Sequence, residues 1–245
     1  MLADTLTIIW KEIREAFLQR PNLRGGWVGL LVTLGIFGIF LPLQSEGPEW
    51  LESPINLALW AWVPYLLVSG IVADSIAGER ERHTLETLLA SRLSDRAILF
   101  GKIAASVLYG WGLTIFSVLL SIITVNVAYW SGRLLFYPLP ILGGILGLSF
   151  LVSLLAAALG VLFSLRAATV RQAQQTFNFI FLLMFIPIFV FPQLPADIQN
   201  SVINFLTRAS ASSLGLIVAG FLLVLDLILV LLAMSRFQRS KLILD

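Results

Sequence analysis

Six apolar runs, each close to the length a helix needs to cross a bilayer, occupy most of this 245-residue chain. They are Trp27 to Leu43, Ile55 to Ala73, Ile103 to Val127, Leu139 to Leu165, Thr176 to Phe191 and Leu214 to Met234. About 20 residues of helix cross the ~30 Å hydrocarbon core, and lipid offers backbone groups no partner, so each run must close its hydrogen bonds within itself. The expectation is an all-α integral membrane protein with six transmembrane helices. Composition agrees: 58% apolar and 12% charged residues exclude a water-soluble globular domain and a disordered tail. The absence of cysteine excludes a disulfide scaffold. The fifth run is the weakest, being short, holding Asn178 and Pro187, and ending against Pro192 and Pro195, so a kink or an incomplete crossing is expected there.

Lys and Arg concentrate in the cytoplasmic connections of membrane proteins, and here they alternate from loop to loop. Lys11, Arg14, Arg20 and Arg24 precede the first run, and Arg80, Arg82, Arg92, Arg96 and Lys102 lie between the second and third. Arg166 and Arg171 lie between the fourth and fifth, and Arg236, Arg239 and Lys241 follow the sixth. Only Arg133 and Arg208 fall on the opposite side, so 14 of the 16 basic residues share one face of the membrane if six helices cross. Both termini are then cytoplasmic, and the net charge of +2 reflects topology rather than a nucleic-acid-binding surface. No cleavable signal peptide is expected, because Asp4, Lys11 and Glu12 interrupt the opening residues.

Leu6, Ile9, Trp10, Ile13 and Phe17 recur at helical spacing, with Lys11, Glu12, Arg14, Glu15 and Gln19 opposite them. Residues 1–26 therefore predict an interfacial amphipathic helix ended by Pro21 and Gly25-Gly26, either a passive anchor or an active part. Residues 74–102 form the longest polar connection. Within it Leu85, Leu88 and Leu89 make a short apolar ridge among Glu79, Arg80, Glu81, Arg82 and Glu86, and Ser94-Asp95 opens a second helix. The ridge reads either as part of a plain solvated hairpin or as a surface that needs a partner.

Glu79-Arg80-Glu81, Thr84-Leu85-Glu86, Leu88-Leu89, Ser94 and Gly101-Lys102 resemble the signature between spans two and three of type-2 ATP-binding-cassette (ABC) exporter permeases. The opening Trp10-Lys11-Glu12 and Arg14 are similar to that family's interfacial elbow helix. His83 stands where the family commonly has Gly, and Arg92 where Pro usually closes the short helix. The resemblance implies a single permease domain over 1–245 in a prokaryotic cell (inner) membrane. It also implies a coupling helix that docks on a separate ABC ATPase, a second permease copy or paralogue, and a surround of lipid. Leu85, Leu88 and Leu89 would enter a groove of the ATPase, with Glu79, Glu81, Arg82, His83, Thr84 and Glu86 around it. ATP and Mg would be bound by that partner, since this chain has no GxxxxGK followed by Ser or Thr; it carries no cofactor, catalytic or metal site of its own on this reading.

Asp226, deep in the sixth run, is a functional-site candidate by its depth alone, with helix pairing and a substrate path as open roles. Asn126 and Asn178 are candidate polar partners for it. Ala156 and Gly160, like Gly143 and Gly147, have the spacing of close helix contacts. Residues 192–213 predict an extracytoplasmic helical connection. The competing functions are a related haem-handling permease of cytochrome maturation, a non-transporting membrane scaffold and an intramembrane enzyme. The last is disfavoured by the lack of GxSG, HExxH and paired membrane aspartates.

Overall fold

The computed structural model describes residues 2–18, 23–45, 47–183, 186–208 and 211–237, and among these all regular structure is helical. Arg20, Arg239 and Lys241 of the charge pattern lie outside the described residues. In order the elements are α1 (Leu2–Leu18), α2 (Leu23–Gly35) running through a π-helical turn (Ile36–Phe40) into α3 (Leu41–Gln44), α4 (Pro48–Glu52) and α5 (Ile55–Glu81). There follow α6 (Leu85–Leu89), α7 (Asp95–Ala128), α8 (Leu139–Arg166), α9 (Val170–Leu183), α10 (Ile186–Val190), α11 (Ala196–Arg208) and α12 (Ala211–Arg236).

Four of them, α5, α7, α8 and α12, are long and apolar enough to cross a membrane, and Val28–Gln44 forms a shorter apolar helix. The described part of the fifth apolar run is helical in α9 and α10, and residues 184 and 185 between them lie outside the described residues. Helix α7 starts where Ser94 and Asp95 predict, the Ser94 side chain accepting a hydrogen bond from the Ala97 amide at 3.3 Å.

The core is a packed trio of α5, α7 and α8, joined by Val68, Val72 and Ile76, by Ile98 and Ile103, and by Ala156 and Val161. Glycine sets the spacing of α5 and α8: a Cβ on Gly160 would lie 2.0 Å from Val72 Cγ1. Ala156 and Gly160 are thus spent on contacts inside the chain, whereas positions 143 and 147 have nothing within 4 Å of an added Cβ. Ser164 of α8 reaches into the backbone ladder of α5. Its hydroxyl accepts from the Ile76 and Ala77 amides at 3.1 and 2.8 Å and donates to the Ala73 carbonyl at 3.1 Å.

Helix α9 leans on α5 through stacked rings, Tyr65 on Phe177 at 4.5 Å and on Phe181 at 4.9 Å, and the Tyr65 hydroxyl donates to the Phe177 carbonyl. Helix α12 packs on α8 and turns Leu216, Phe221, Val224, Leu227 and Leu231 outward. An outward leucine face on a span-length helix is what hydrocarbon solvates.

Candidate functional site

At the charged end of the bundle, α5 runs past its apolar stretch and finishes with Glu79, Arg80 and Glu81. Successive residues of a helix point about 100° apart, so these three side chains leave in three directions. Glu79 Oε1 takes the Lys11 ammonium of α1 at 2.7 Å and the Lys102 ammonium of α7 at 3.1 Å. Arg80 donates to the Ala167 and Leu165 carbonyls at 2.5 and 3.2 Å, satisfying the open end of α8. Glu81 Oε1 accepts from the Val170 amide at 3.1 Å, capping the start of α9. One tripeptide thereby holds four other helices.

Lys102 is only 1% exposed; its ammonium donates to Glu12 Oε1 at 2.7 Å and to the Ser75 carbonyl at 2.5 Å and is ion-paired with Glu79 Oε1 at 3.1 Å. Two lysines against Glu12 and Glu79 balance the charge, which is the condition under which ions tolerate burial. Burial pulls the Lys11 ammonium downward, but the Glu79 carboxylate beside it, with Glu12 and Glu15, outweighs that and raises it above its ordinary value. Glu79 Oε2 is buried and has no hydrogen-bond partner.

The turn after α5 is a double-bonded helix end: the Thr84 amide bonds the Glu79 carbonyl at 2.8 Å and the His83 amide bonds the Arg80 carbonyl at 3.1 Å. This motif needs a left-handed residue, and His83 supplies it at φ 55°. The observation explains in physical terms why glycine suits that position. Arg82 pairs with Asp74 at 3.2 Å across the last two turns.

Leu85, the first leucine of the ridge, does not project. Leu85 is 6% exposed in the core formed by α5, α7 and α8, and Leu88 packs against the same cluster. The Leu89 side chain lies outside the described residues. Burying a leucine stabilises by roughly 1.5–3 kcal/mol, and a five-residue helix against the open ends of α5 and α7 gains more by turning its apolar side in. Facing outward are Glu81, Arg82, His83, Thr84 and Glu86. Glu79 is likewise an internal tie and not a rim contact. Ser75 is a structural part of the site that the sequence pattern did not single out, while Arg80 and Lys102, named there only as signature residues, are internal ties. An ionisable residue at the edge of an apolar run, as Lys102 is, signals that a partner exists but not which one.

Along α1, Ile8 and Glu12 face α7, while Leu2, Leu6 and Trp10 face outward with the Arg14 guanidinium 5.1 Å from the Trp10 ring. The three intramembrane candidates are not gathered. Asn126 clasps Leu135, accepting its amide at 2.7 Å and donating to its carbonyl at 2.8 Å, which pins the segment after α7. Asn178 lies on the exposed side of α9. Asp226 is 2% exposed, and neither carboxyl oxygen has a hydrogen-bond partner among the described residues. Among the described residues no three His, Asp or Glu side chains converge as a metal site would require.

The family model described as ABC-2 family transporter protein matches residues 54–234, from the start of α5 to near the end of α12. The chain is 26% identical over 158 residues to the ABC transporter permease protein NatB of Bacillus subtilis (strain 168), an alignment covering 60% of this chain. It spans 40% of the length of that relative. No solved structure matches it.

Proposed function

We propose, from the premise that this chain belongs to the ABC-2 family of transporter proteins, that it is the permease subunit of an exporter whose hairpin around α6 is moved by a separate ATPase. The chain would cross a prokaryotic inner membrane six times with both termini in the cytoplasm, and a second copy or a sister permease would complete the pathway. ATP and Mg would be held by the ATPase. The docking surface on this reading is the charged face of Glu81, Arg82, His83, Thr84 and Glu86, not the leucines. Charges of both signs at a modest contact set orientation and partner choice more than affinity.

One observation carries the proposal: α6 is welded to its own chain by Leu85 while the residues before it grip α1, α7, α8 and α9. A handle needs both a free outer face and a stiff connection to what it moves.

The test is affinity purification of the tagged chain from its native membrane. An ATPase subunit is expected to co-purify and to be lost with Arg82→Glu combined with Glu86→Lys, while the permease itself stays folded. Retention of the ATPase by that double variant would sink the docking face.

A further inference from the structure

Helix α12 is the least enclosed of the four span-length helices, packing mainly on α8 and otherwise turned outward. Among its described side chains only Asp226 and Ala233 are buried, and they share the stripe that carries Leu222 and Phe237 to the core. Leucine or valine would fill that seam without any unmet hydrogen bond, yet a carboxyl group stands in it. Asp226 lies ten residues before Arg236, about 15 Å along the helix, which is half the hydrocarbon thickness. Neither of its oxygens has a hydrogen-bond partner among the described residues. The basic residues of the neighbouring helices do not meet it. Arg96 and Lys102 of α7, Arg166 of α8 and Arg236 of α12 stand toward the charged end, and Lys102 is already paired with Glu12 and Glu79. A polar group buried without a donor is costly, and hydrocarbon supplies no water to complete it. Whatever completes this site brings a donor or a positive charge and reaches it through lipid. A hydrated inorganic ion would shed its water against one carboxyl group alone. An amphiphilic amine, in contrast, carries apolar surface that Val224, Leu227 and Leu231, outward-facing on the same helix, can cover.

We propose that Asp226 is the binding site for the ammonium group of a lipophilic amine, taken up from the bilayer as α12 parts from α8, and that amphiphilic amines are the cargo class of this permease. The inference rests on the exporter reading above and names the substrate class that reading leaves open. The carboxyl group supplies acceptors for the ammonium, and the seam supplies the apolar wall for the chain that bears it. In the closed seam Asp226 is 2% exposed, so the site is occluded until the helices separate. A helix attached mainly along one seam can separate without breaking the packed trio of α5, α7 and α8.

The complex with its ATPase, in nanodiscs of zwitterionic lipid, would be titrated with N-dansyl-1,8-diaminooctane, a primary ammonium on an apolar chain. The N-acetylated form, with the same chain and no charge, is the control. Saturable binding of the amine above that of empty nanodiscs is expected, and none of the acetylated form. Asp226→Asn keeps the shape and removes the charge. It is expected to weaken binding roughly thirtyfold, the low end of the loss when one partner of a buried charge pair is removed. Asp226→Glu is expected to retain most of the affinity. Asp226 has no bond to a described residue to lose, so a melting temperature no lower than that of the wild type is expected in Asp226→Asn, which separates a lost site from a lost fold. Wild-type affinity in Asp226→Asn, equal binding of the acetylated form, or displacement of the amine by equimolar sodium overturns the proposal. So does the absence of saturable binding in a complex that retains its ATPase. A wild-type chain that purifies without any ATPase instead defeats the permease reading, and this inference with it.

Discussion

Replacing Lys102 with methionine tests whether the buried ion cluster holds the charged end of the bundle together. The ammonium is 1% exposed, hydrogen-bonded to Glu12 at 2.7 Å and to the Ser75 carbonyl at 2.5 Å, and ion-paired with Glu79 at 3.1 Å. Methionine keeps most of the stem and removes all three contacts. Glu79 would still have Lys11 at 2.7 Å, but Glu12 would be left with Lys11 at 3.7 Å as its only cation in this cluster. Breaking a buried pair from one side costs about 3–5 kcal/mol, because the remaining charge stays desolvated. The lower end applies here, since Lys11 still neutralises one carboxylate. Lys102→Met is therefore expected to lower the unfolding free energy by about 3 kcal/mol, and adding Glu12→Gln is expected to recover part of that loss by removing the stranded charge. The assay is denaturant titration in lipid bicelles followed by tryptophan fluorescence, with the single and double variants closing a cycle. A loss below about 1 kcal/mol, the range of exposed ion pairs, would refute the burial argument. So would a double variant no more stable than Lys102→Met.

His83→Gly removes a side chain from a left-handed residue at φ 55°, a strain of about 1–2 kcal/mol that the greater freedom of unfolded glycine partly offsets. Slower amide exchange at Thr84 is the expected readout, with faster exchange in His83→Val. Gly160→Val places a Cβ 2.0 Å from Val72 Cγ1, an overlap expected to cost about 1–3 kcal/mol in the same titration and to be relieved by Val72→Ala. Asp226→Leu loses no hydrogen bond, since both carboxyl oxygens lack partners, and removes a buried polar group whose cost is about 1–3 kcal/mol. A higher melting temperature is expected, and a lower one would mean that the carboxylate is held by a group outside the described residues.

Hydropathy located the long helices because length and the absence of charge are local properties. The start of α7 at Ser94 was legible for the same reason, as capping is settled by neighbours three residues apart. Contacts between distant segments were not legible. Glu79 meets Lys11 and Lys102, and Ser164 meets Ala73 and Ala77, across loops that no local pattern encodes. The charges around α6 therefore read as one rim, although Glu79 ties the helix down and Glu86 faces out.

Leu85 was mis-sorted for a different reason. Leu85 of α6 turns inward, whereas Leu227 and Leu231 of α12 turn outward, and both choices follow from the medium each helix meets. Where the outer face is lined by Glu86 and Arg82, water sets the preference, and an apolar side chain gains by leaving the surface. Along a span-length apolar helix hydrocarbon sets it, and leucine gains nothing by turning in. Helix α1 stands at the boundary: Leu2, Leu6 and Trp10 point away from the chain, and Glu12 points into it to meet Lys102. A helical wheel separates the two faces of α1 but does not say which is inside. That depends on depth, and here it is the buried lysine of α7, demanding an acid, that turns the polar edge of α1 inward.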